Sequence, residues 1–519
     1  MTSAPRRKAA GAAALGGVVG AAVGSATGDV AAVVLRSPSP VAAVADAVVD
    51  RAPGAVLRAG IDAFAPFTKP VVVLAVLAVL AAVGAATGRR TARRPWLPWA
   101  VAAPCAVVGA LAAGTIDAPF RSGVAALLAG VAGAVTTGVL VRAATGGRPA
   151  RDGEGVDAPT ASPLDPPGTR RSFLGLAAAG GAFAVLAPAT VRRIRSWGPA
   201  TPPPVGALPA PTVRGPVATS TFDGVVPGLS PAVTPNDAFY RIDTAFIVPR
   251  VDVAGWTLDI GGLVQRPRTL RYADLLEMPL VEEEITLACV SNEVGDELVG
   301  NARWTGVPLA RLLEEAGVLA EGEQVMSRSV DGWTAGFPTS VALDGRAAMV
   351  AVGMNGEPLP YRHGFPARLV VPGIYGYVSA TKWLAAIDLV PWDRNGYWVP
   401  RGWAKLGPIK TQSRIDVPRA GTRLAAGRTT IAGVAWAPVR GVRAVEVSVD
   451  EGPWQRARLA GGAGPATWVQ WLLDWEATPG LHRIRVRATD GQGETQTQVE
   501  QDVAPDGATG WHRVQITVD

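Results

Sequence analysis

The first 190 residues alternate between long apolar stretches and short segments that are rich in arginine. Five stretches are apolar over a length close to the roughly 17–25 residues that an α-helix needs to cross a bilayer. They lie at about residues 11–35, 70–87, 97–115, 122–142 and 172–190. The first is the weakest, because it is rich in glycine and contains Asp29. The pattern predicts four transmembrane helices within residues 1–142, a cytoplasmic linker at 143–171 and a fifth helix at 172–190.

Basic residues predict how these helices are oriented. They precede the first span, separate the second from the third, and separate the fourth from the fifth, at Arg6–Lys8, Arg89–Arg94 and Arg142–Arg171. The connection between the third and fourth spans is poor in them. Because cytoplasmic loops are enriched in Lys and Arg, we expect a multi-pass protein of the cell membrane. Its N-terminus is cytoplasmic, and everything after the fifth span is extracytoplasmic.

The fifth span begins with a distinctive header. Residues 169–174 read TRRSFL, and an apolar run rich in Ala and Gly follows. This header resembles a twin-arginine export signal, which is read by a receptor and serves proteins that fold, often around a cofactor, before export. The alternative is an ordinary pair of positive-inside arginines at Arg170 and Arg171.

Beyond the fifth span the pattern changes twice. Residues 191–217 are rich in proline and predict a stiff tether. Residues 218–415 mix strand and helix patterns, such as the alternating Trp256–Ile260 before Gly261-Gly262 and the helical Leu309–Ala316 before Gly317. Residues 416–519 show short alternating strands, including Val445–Val449 and Ile484–Ala488, which predict an all-β, immunoglobulin-like sandwich.

Composition narrows the function classes. The chain is 48% hydrophobic with a mean hydropathy of +0.23, and its formal net charge is +6. Its basic residues are almost all arginines, and no basic run is interleaved with aromatic residues, so no nucleic-acid partner is indicated. There are two cysteines. Cys105 lies in a predicted membrane span, which leaves Cys289 unpaired. An unpaired thiol is either a small buried apolar residue or a ligand for a soft metal.

Three segments between residues 236 and 384 contain distinctive motifs. The first contains Cys289, with Gly300–Trp304 (GNARW) downstream. The second runs from Met354-Asn355-Gly356 through His363–Gly373 (HGFPARLVVPG) to Lys382-Trp383-Leu384. The third is Asn236–Arg241 (NDAFYR). Together they resemble the sulfite oxidase-like molybdopterin oxidoreductases. The resemblance covers about residues 220–519, and it implies a catalytic α+β domain over 218–415 followed by a dimerisation-type domain over 416–519.

The resemblance implies a molybdenum–molybdopterin cofactor with Cys289 as metal ligand and catalytic residue. A thiolate is a soft ligand that suits molybdenum, and the anionic phosphate of the pterin suits an Arg or Lys partner. Carried over position by position, the cofactor-binding residues are Asn236, Phe239, Tyr240, Ser329, His363, Arg368, Ser379, Thr381 and Lys382. Taken singly, His363 reads as a turn residue, Arg368 as part of a local ion pair and Lys382 as a solvated side chain.

The chain departs from the sulfite-oxidising pattern at two places. Those enzymes have arginines just after the ligand cysteine, where this chain has Glu293 and Val294, and a tyrosine two residues before the MNG motif, where it has Val352. Because an acid repels an anionic substrate, we expect two-electron oxo transfer on a neutral S- or N-oxide. The alternatives are a sulfite dehydrogenase and a non-catalytic envelope protein that retains the fold.

Electrons must come from elsewhere. The chain has no C-x-x-C-H motif, and its three histidines lie outside the predicted spans, so we expect no haem. We expect a small-molecule substrate, a separate electron carrier or quinone as redox partner, and the membrane as anchor. The dimerisation-type domain makes a homodimer a candidate assembly.

Overall fold

The computed structural model describes residues 4–35, 39–52, 68–113, 119–145, 170–197, 206–245 and 248–519. It divides into two compact units, Met1–Pro199 and Ala200–Asp519. The linker predicted at 143–171 lies mostly outside the described residues.

The N-terminal unit is helical. Its described helices are α1 (Ala4–Val34), α2 (Pro40–Arg51), α3 (Thr68–Thr91), α4 (Leu97–Ala113), α5 (Pro119–Thr145) and α6 (Arg170–Trp197). Three of them contain segments long and apolar enough to cross a membrane, at Ala9–Val34, Val71–Thr91 and Phe120–Thr145. The other two predicted spans form shorter apolar helices, Leu97–Ala112 and Phe173–Ala187. Helix α6 extends to Trp197, into the segment predicted as a tether, and its last turns carry arginines.

Glycine allows α1 and α3 to pack closely. A Cβ atom added to Gly17 of α1 would lie 1.9 Å from the carbonyl oxygen of Gly84 in α3, and one added to Gly84 would lie 2.4 Å from the carbonyl oxygen of Gly17. Small residues at such crossings bring helix backbones together, which is a common basis of helix association in membranes.

The first part of the C-terminal unit contains two mixed sheets with short helices. Their strands are β1 (Val213–Arg214), β2 (Thr257–Gly262), β3 (Arg268–Arg271), β4 (Val281–Ala288), β5 (Val299–Pro308), β6 (Gln324–Ser329), β7 (Thr334–Pro338), β8 (Met349–Met354), β9 (Glu357–Pro358), β10 (Arg368–Val370) and β11 (Leu384–Val390). One sheet has the order β1-β4-β5-β8-β10, with β9 on β8, and the other has the order β3-β2-β11-β6-β7. The helices are α7 (Tyr272–Glu277), α8 (Leu309–Ala316), α9 (Thr339–Leu343) and α10 (Gly376–Ser379).

Periodicity and burial explain these elements. Helix α8 buries Leu309, Leu312, Leu313 and Ala316, which share one helical face, and it ends at Gly317 in the left-handed conformation (φ 70°). Strand β8 is buried along its whole length, as a strand covered on both faces must be. The helix predicted at Leu309–Ala316 and the strand predicted before Gly261-Gly262 are both present.

The last part of the C-terminal unit consists of two further sheets. Their strands are β12 (Gln412–Val417), β13 (Arg423–Leu424), β14 (Gly427–Trp436), β15 (Val442–Val449), β16 (Gln455–Arg456), β17 (Arg458–Leu459), β18 (Val469–Ala477), β19 (Gly480–Asp490) and β20 (Arg513–Val518). The sheets have the orders β12-β14-β18-β17 and β13-β20-β19-β15-β16. Ile431 and Trp471 of the first sheet and Val447, Val486 and Ile516 of the second share one core. The alternating strands predicted here are therefore present.

Candidate active site

Cys289 follows directly after β4, and its side chain is buried. The antiparallel pairing of β4 with β5 ends at Ala288 opposite Val299, and the Cys289 amide donates to the Leu298 carbonyl at 2.9 Å. Burial raises the pKa of the Cys289 thiol, while hydrogen bonds from Ser291 and the charge of Lys382 act in the opposite direction. The thiol therefore lies at the end of a strand, and Lys382 is one of its neighbours.

Arg368 begins β10 and is almost completely buried. Its guanidinium donates to the carbonyl oxygens of His363 at 3.2 Å, Leu369 at 3.4 Å and Ala380 at 3.5 Å. It also lies over the ring of Trp304, 4.9 Å from the centroid, in a cation–π contact. Burial lowers the pKa of Arg368 to about 10, because a charged group is poorly solvated here.

Lys382 is a second, largely buried cation of this site, with a side chain that is 12% exposed. Its ammonium bonds to the carboxylate of Asp243, which also pairs with Arg241 at 3.3 Å. Burial lowers the pKa of Lys382 to about 8, although Asp243 opposes the shift. The side chain of Asp243 is only 5% exposed, so this acid belongs to the pocket. The sequence analysis did not identify Asp243; its place three residues after Tyr240 was the available signal.

Gly364 explains how Arg368 and Lys382 lie so close together. Its backbone has φ 111°, and a Cβ atom added there would lie 3.0 Å from the Lys382 Cβ and 3.1 Å from the Arg368 Cβ. A side chain at this position would therefore separate the two cations and strain the backbone. The second position of the HGFPARLVVPG motif is thus part of the site.

His363 and Asn236 are joined by a hydrogen bond. The His363 Nε2 lies 2.7 Å from the carbonyl oxygen of Asn236. Burial lowers the pKa of His363 to about 3, so the ring is neutral, and Nε2 must carry its proton because the partner is a carbonyl. Nδ1 therefore carries a lone pair and can accept a hydrogen bond. The MNG turn fixes Asn236, because the Asn355 side chain donates to the Asn236 Oδ1 at 2.8 Å.

Aromatic residues form one wall of the pocket. Phe239 is buried and stacks on Tyr240 with a centroid separation of 5.2 Å, and it meets the edges of Trp304 and His363 at 5.7 Å each. Burial raises the pKa of Tyr240, and the nearby thiol of Cys289 acts in the same direction. Tyr240 thus lies near Cys289, as the resemblance implies. Trp304 belongs to the same wall. The sequence analysis gives it as part of the GNARW motif and does not predict it as a site residue.

The three predicted hydroxyl residues use their side chains in local contacts. The Ser379 Oγ donates to the Tyr375 carbonyl at 3.0 Å, and the Thr381 Oγ1 lies 2.6 Å from the Ser327 Oγ. Ser329 ends β6, and its Oγ accepts from the Asp331 amide at 3.5 Å. Thr381 precedes Lys382, and its carbonyl accepts from the Leu369 amide at 2.9 Å, so it connects the lysine segment to β10.

Glu293, Val294 and Val352 stand at the positions where the sequence departs from the sulfite-oxidising pattern, and the structure places them differently. Glu293 is exposed and Val294 half-buried, in the segment after Cys289. Val352, in contrast, is fully buried in an apolar core cluster, whereas its adjacent residue Ala351 on β8 belongs to the cluster that contains Phe239. Because neighbours on a strand face opposite sides, Val352 faces away from that cluster. The substrate argument therefore depends on Glu293 and Val294.

The pocket has the donors that a molybdopterin requires. Its buried cations, Arg368 and Lys382, lack full compensation by carboxylates among the described residues, since Asp243 serves both Lys382 and Arg241. A buried cation without a carboxylate partner is suited to an anionic ligand. No cluster of three metal-binding side chains occurs in the described part of the chain, and the resemblance names one protein ligand, Cys289. The residues therefore fit a metal cofactor that brings its other ligands with it.

Comparisons with known proteins agree with this site. A family model described as the oxidoreductase molybdopterin binding domain matches residues 245–398. Uncharacterized oxidoreductase YuiH of Bacillus subtilis is 34% identical over 156 residues, which cover 30% of this chain and 76% of that protein. Human mitochondrial sulfite oxidase is 29% identical over 341 residues, covering 55% of this chain and 62% of that protein.

Solved structures are also similar to this chain. The sulfane dehydrogenase SoxCD from Paracoccus pantotrophus matches with a TM-score of 0.49 and 25% identity, covering 56% of this chain and 84% of that chain. The chain spans about three fifths of the length of the first curated sulfite oxidases that it matches, 62% for the human protein.

The fold and site define a molybdopterin-binding oxidoreductase. More particularly, the chain belongs to the sulfite oxidase-like family of these enzymes. The predicted family, enzyme class and molybdenum–molybdopterin cofactor are confirmed at this level. The matched region contains Cys289, His363, Arg368 and Lys382, whereas the Asn236–Tyr240 segment precedes it.

Proposed function

We propose that this protein is a membrane-anchored, extracytoplasmic oxidoreductase that performs two-electron oxo transfer on a neutral S- or N-oxide. The observation that carries the proposal is the buried thiol of Cys289 near the cation Lys382, which lies with the buried Arg368 on either side of Gly364. A fold kept only as a scaffold requires neither an unpaired buried thiol nor undercompensated buried charges. This argues against the alternative of a non-catalytic envelope protein.

The chain's own residues have separate tasks. When bound, molybdenum–molybdopterin supplies the two-electron oxo-transfer chemistry. Cys289 holds the metal as a thiolate. Arg368 and Lys382 bind the pterin phosphate, and His363 accepts a hydrogen bond at Nδ1 while Asn236 fixes its ring. The aromatic wall of Phe239 and Trp304, which pack edge to face, keeps water away from the cations and so strengthens their attraction for the phosphate.

The residues after Cys289 favour a neutral substrate. A small dianion needs charged donors that offset its desolvation. Glu293 repels a dianion, and Val294 has no side-chain donor. Arg241 and Arg303 are 47% and 38% exposed, but each is already paired with a carboxylate, Asp243 and Glu284 respectively. The names of the relatives favour a second candidate, sulfite dehydrogenase, which requires these arginines to leave their partners.

Location and partners follow from the N-terminal half. Three helices of membrane-spanning length, the arginine distribution and the TRRSFL header support a membrane anchor and twin-arginine export. A separate electron carrier or quinone then supplies electrons. We further propose that the sheets of residues 412–518 are an immunoglobulin-like dimerisation-type domain. Replacing Arg170 and Arg171 by lysine tests export: the C-terminal unit should then become inaccessible to protease added outside the cell, and unchanged accessibility would reject the twin-arginine route.

Steady-state assays test the reaction itself. The wild-type protein and Cys289→Ser are assayed with sulfite, methionine sulfoxide and trimethylamine N-oxide, using artificial electron donors and acceptors. We expect turnover of an oxide and little turnover of sulfite. Cys289→Ser should keep the fold, measured by circular dichroism, and lose activity with every substrate. Full activity in the serine variant would refute the ligand assignment, and efficient sulfite turnover with inert oxides would establish the second candidate.

A further inference from the structure

The segment after Cys289, residues 290–298, forms a loop that closes on itself; we call it the post-cysteine loop. The Asn292 amide donates to the Cys289 carbonyl at 3.1 Å, and the Leu298 amide donates to the Asn292 Oδ1 at 2.7 Å. Glu293 and Val294, which lie at the substrate positions of the proposed function, are therefore carried by a loop whose two ends are fixed at Cys289.

The outer side of the post-cysteine loop is held by β12, a strand of the C-terminal sheets. The Arg414 Nη1 donates to the Asp296 carbonyl at 2.8 Å. The same guanidinium donates to Asp416 at 2.7 Å and to the Ser230 Oγ at 2.9 Å. The side chains of Arg414 and Asp416 are each 7% exposed. Because this planar fork is fixed by two other partners, its bond to the loop has a defined direction.

His512, which directly precedes β20, also supports the post-cysteine loop. Its Nδ1 accepts the Ile415 amide at 2.9 Å, which orients the ring. A Cβ atom added to Gly295 would lie 2.3 Å from the His512 Cδ2, so the ring covers this glycine directly. Gly295 has φ 90°, a conformation that glycine adopts at little cost. The loop thus passes between Cys289 and a histidine of the C-terminal sheets.

The base of the loop is packed against the same sheets. Ala288 and Val290, on either side of Cys289, share one buried cluster with Val434, Trp436 and Trp468. Well-packed clusters transmit small displacements, because their interiors contain little free volume. Both the thiol's neighbours and the loop therefore depend on residues beyond position 410.

We infer that the C-terminal sheets build one wall of the substrate pocket, with Arg414 as a positioning residue that fixes the post-cysteine loop. This inference deepens the proposed function and depends on it for the identity of the substrate. It gives the C-terminal domain a role in selecting substrate, in addition to any role in assembly. Arg414 contacts neither substrate nor cofactor; it acts through the backbone of Asp296.

Arg414→Met tests this role, with Arg440→Met as a matched control. Arg440 also donates to a buried aspartate, Asp490, at 2.8 Å, but its other bonds go to Ile409 and Thr411 rather than to the loop. Amide hydrogen exchange is measured in the purified full-length protein, together with molybdenum content, KM and kcat. A charge-assisted hydrogen bond is lost, so exchange over residues 290–298 should become about 10- to 100-fold faster in Arg414→Met.

The kinetic prediction separates positioning from general damage. In Arg414→Met the KM for the substrate that the wild type turns over should rise about tenfold while molybdenum content is kept, since a displaced wall weakens binding. Arg440→Met should change neither loop exchange nor KM. Equal loop exchange in the two variants would overturn the inference, and so would a looser loop with an unchanged KM. If the wild type turns over no oxide and no sulfite, the proposed function fails, while the exchange data still decide whether Arg414 holds the loop.

Gly295→Ala provides a second route if Arg414→Met does not fold. The added methyl group meets the His512 ring, and the positive φ is unfavourable for alanine, so the loop must move. The same rise in KM is expected with Arg414 intact. An unchanged KM in Gly295→Ala would contradict the inference.

Discussion

Two sets of buried or half-buried cations in the C-terminal unit are compensated in different ways. Arg414 on β12 and the half-buried Arg440, in the turn between β14 and β15, each donate through Nε to a buried aspartate, Asp416 at 2.7 Å and Asp490 at 2.8 Å. Arg368, in the cofactor pocket, donates to carbonyl oxygens at 3.2–3.5 Å and lies over a tryptophan ring. Arg414 and Arg440 thus form ion pairs, whereas Arg368 forms none with a carboxylate in the described part of the chain.

This difference in charge compensation indicates where an anionic ligand is expected to bind. Burying a charge is costly unless an opposite charge is buried with it. Arg414 and Arg440 meet this condition within the protein and therefore read as structural. Arg368 and Lys382 meet it incompletely, and burial lowers the pKa of Arg368 to about 10 and that of Lys382 to about 8. An anionic group, such as the phosphate of a pterin, completes the balance.

The largest expected effect is a contrast in stability between the two sets. In cofactor-free protein, Arg414→Met should lower the free energy of unfolding by about 3–5 kcal/mol, because Asp416 is left buried and unpaired. Arg368→Met should lower it by less than about 1 kcal/mol or raise it, because a poorly compensated charge is removed. Denaturant unfolding of the detergent-solubilised full chain, followed by tryptophan fluorescence, measures both. Equal losses in the two variants would show that Arg368 is as fully compensated as Arg414.

A smaller effect is expected at the carboxylate of the pocket. Asp243→Asn should destabilise cofactor-free protein by about 2–3 kcal/mol, because Lys382 and Arg241 lose their shared anion while the amide still accepts a hydrogen bond. Cofactor-loaded protein should lose less, since the bound phosphate supplies negative charge. The comparison requires unfolding measurements on both forms. A loss that is the same with and without cofactor would mean that the phosphate does not reach Lys382.

His512 predicts how stability responds to acid. Burial lowers the pKa of His512 to about 4, and the charge of Arg414 acts in the same direction. Its contribution is therefore fully present above about pH 6.5, the unfolded value, and is lost as the pH falls towards 4. Between pH 8 and pH 5 this loss is about 2 kcal/mol. His512→Asn, which keeps an acceptor near Nδ1, should remove that share of the pH dependence. The pKa of His363 is also lowered by burial, so its contribution to the pH dependence of stability has the same sign and should persist in His512→Asn.

The smallest effect has the opposite sign and involves His482. A hydrogen bond to Asp450 at 2.7 Å raises the pKa of His482. This contribution is fully present below about pH 6.5 and is lost as the pH rises through the folded pKa. Asp450 is 48% exposed, so we expect less than about 1 kcal/mol. In His482→Gln the stability change between pH 6 and pH 9 should shrink by this amount, and an increase would contradict the sign.

Local motifs predicted part of the site and missed the rest. Cys289, His363, Arg368 and Lys382 lie in short segments with specific motifs, so the sequence alone named them as candidates. Asp243 was missed because its partner Lys382 is 139 residues away along the chain, and no local pattern reports such a pair. Val352 was misread because an aligned position does not show which face of a buried strand a side chain occupies.

The fold was predictable to a similar degree. Periodicity identified α8, β2 and the alternating strands of the last 100 residues or so, because one face of each is buried. Among the described residues, three of the five predicted spans contain segments long and apolar enough to cross a membrane, and the other two form shorter apolar helices. The hold of β12 on the post-cysteine loop could not be predicted, since Arg414 and Asp296 are joined only by tertiary structure.

Molybdenum and pterin content tests the central claim most directly. The full-length wild-type protein, the double variant Arg368→Met/Lys382→Met and the control Arg440→Met are purified and analysed by metal analysis and pterin fluorescence. We predict equimolar molybdenum and pterin in the wild type and in the control, and loss of both from the double variant, since it lacks the cations that hold the phosphate. A wild-type protein without molybdenum, or a double variant that retains its full content, would contradict the account.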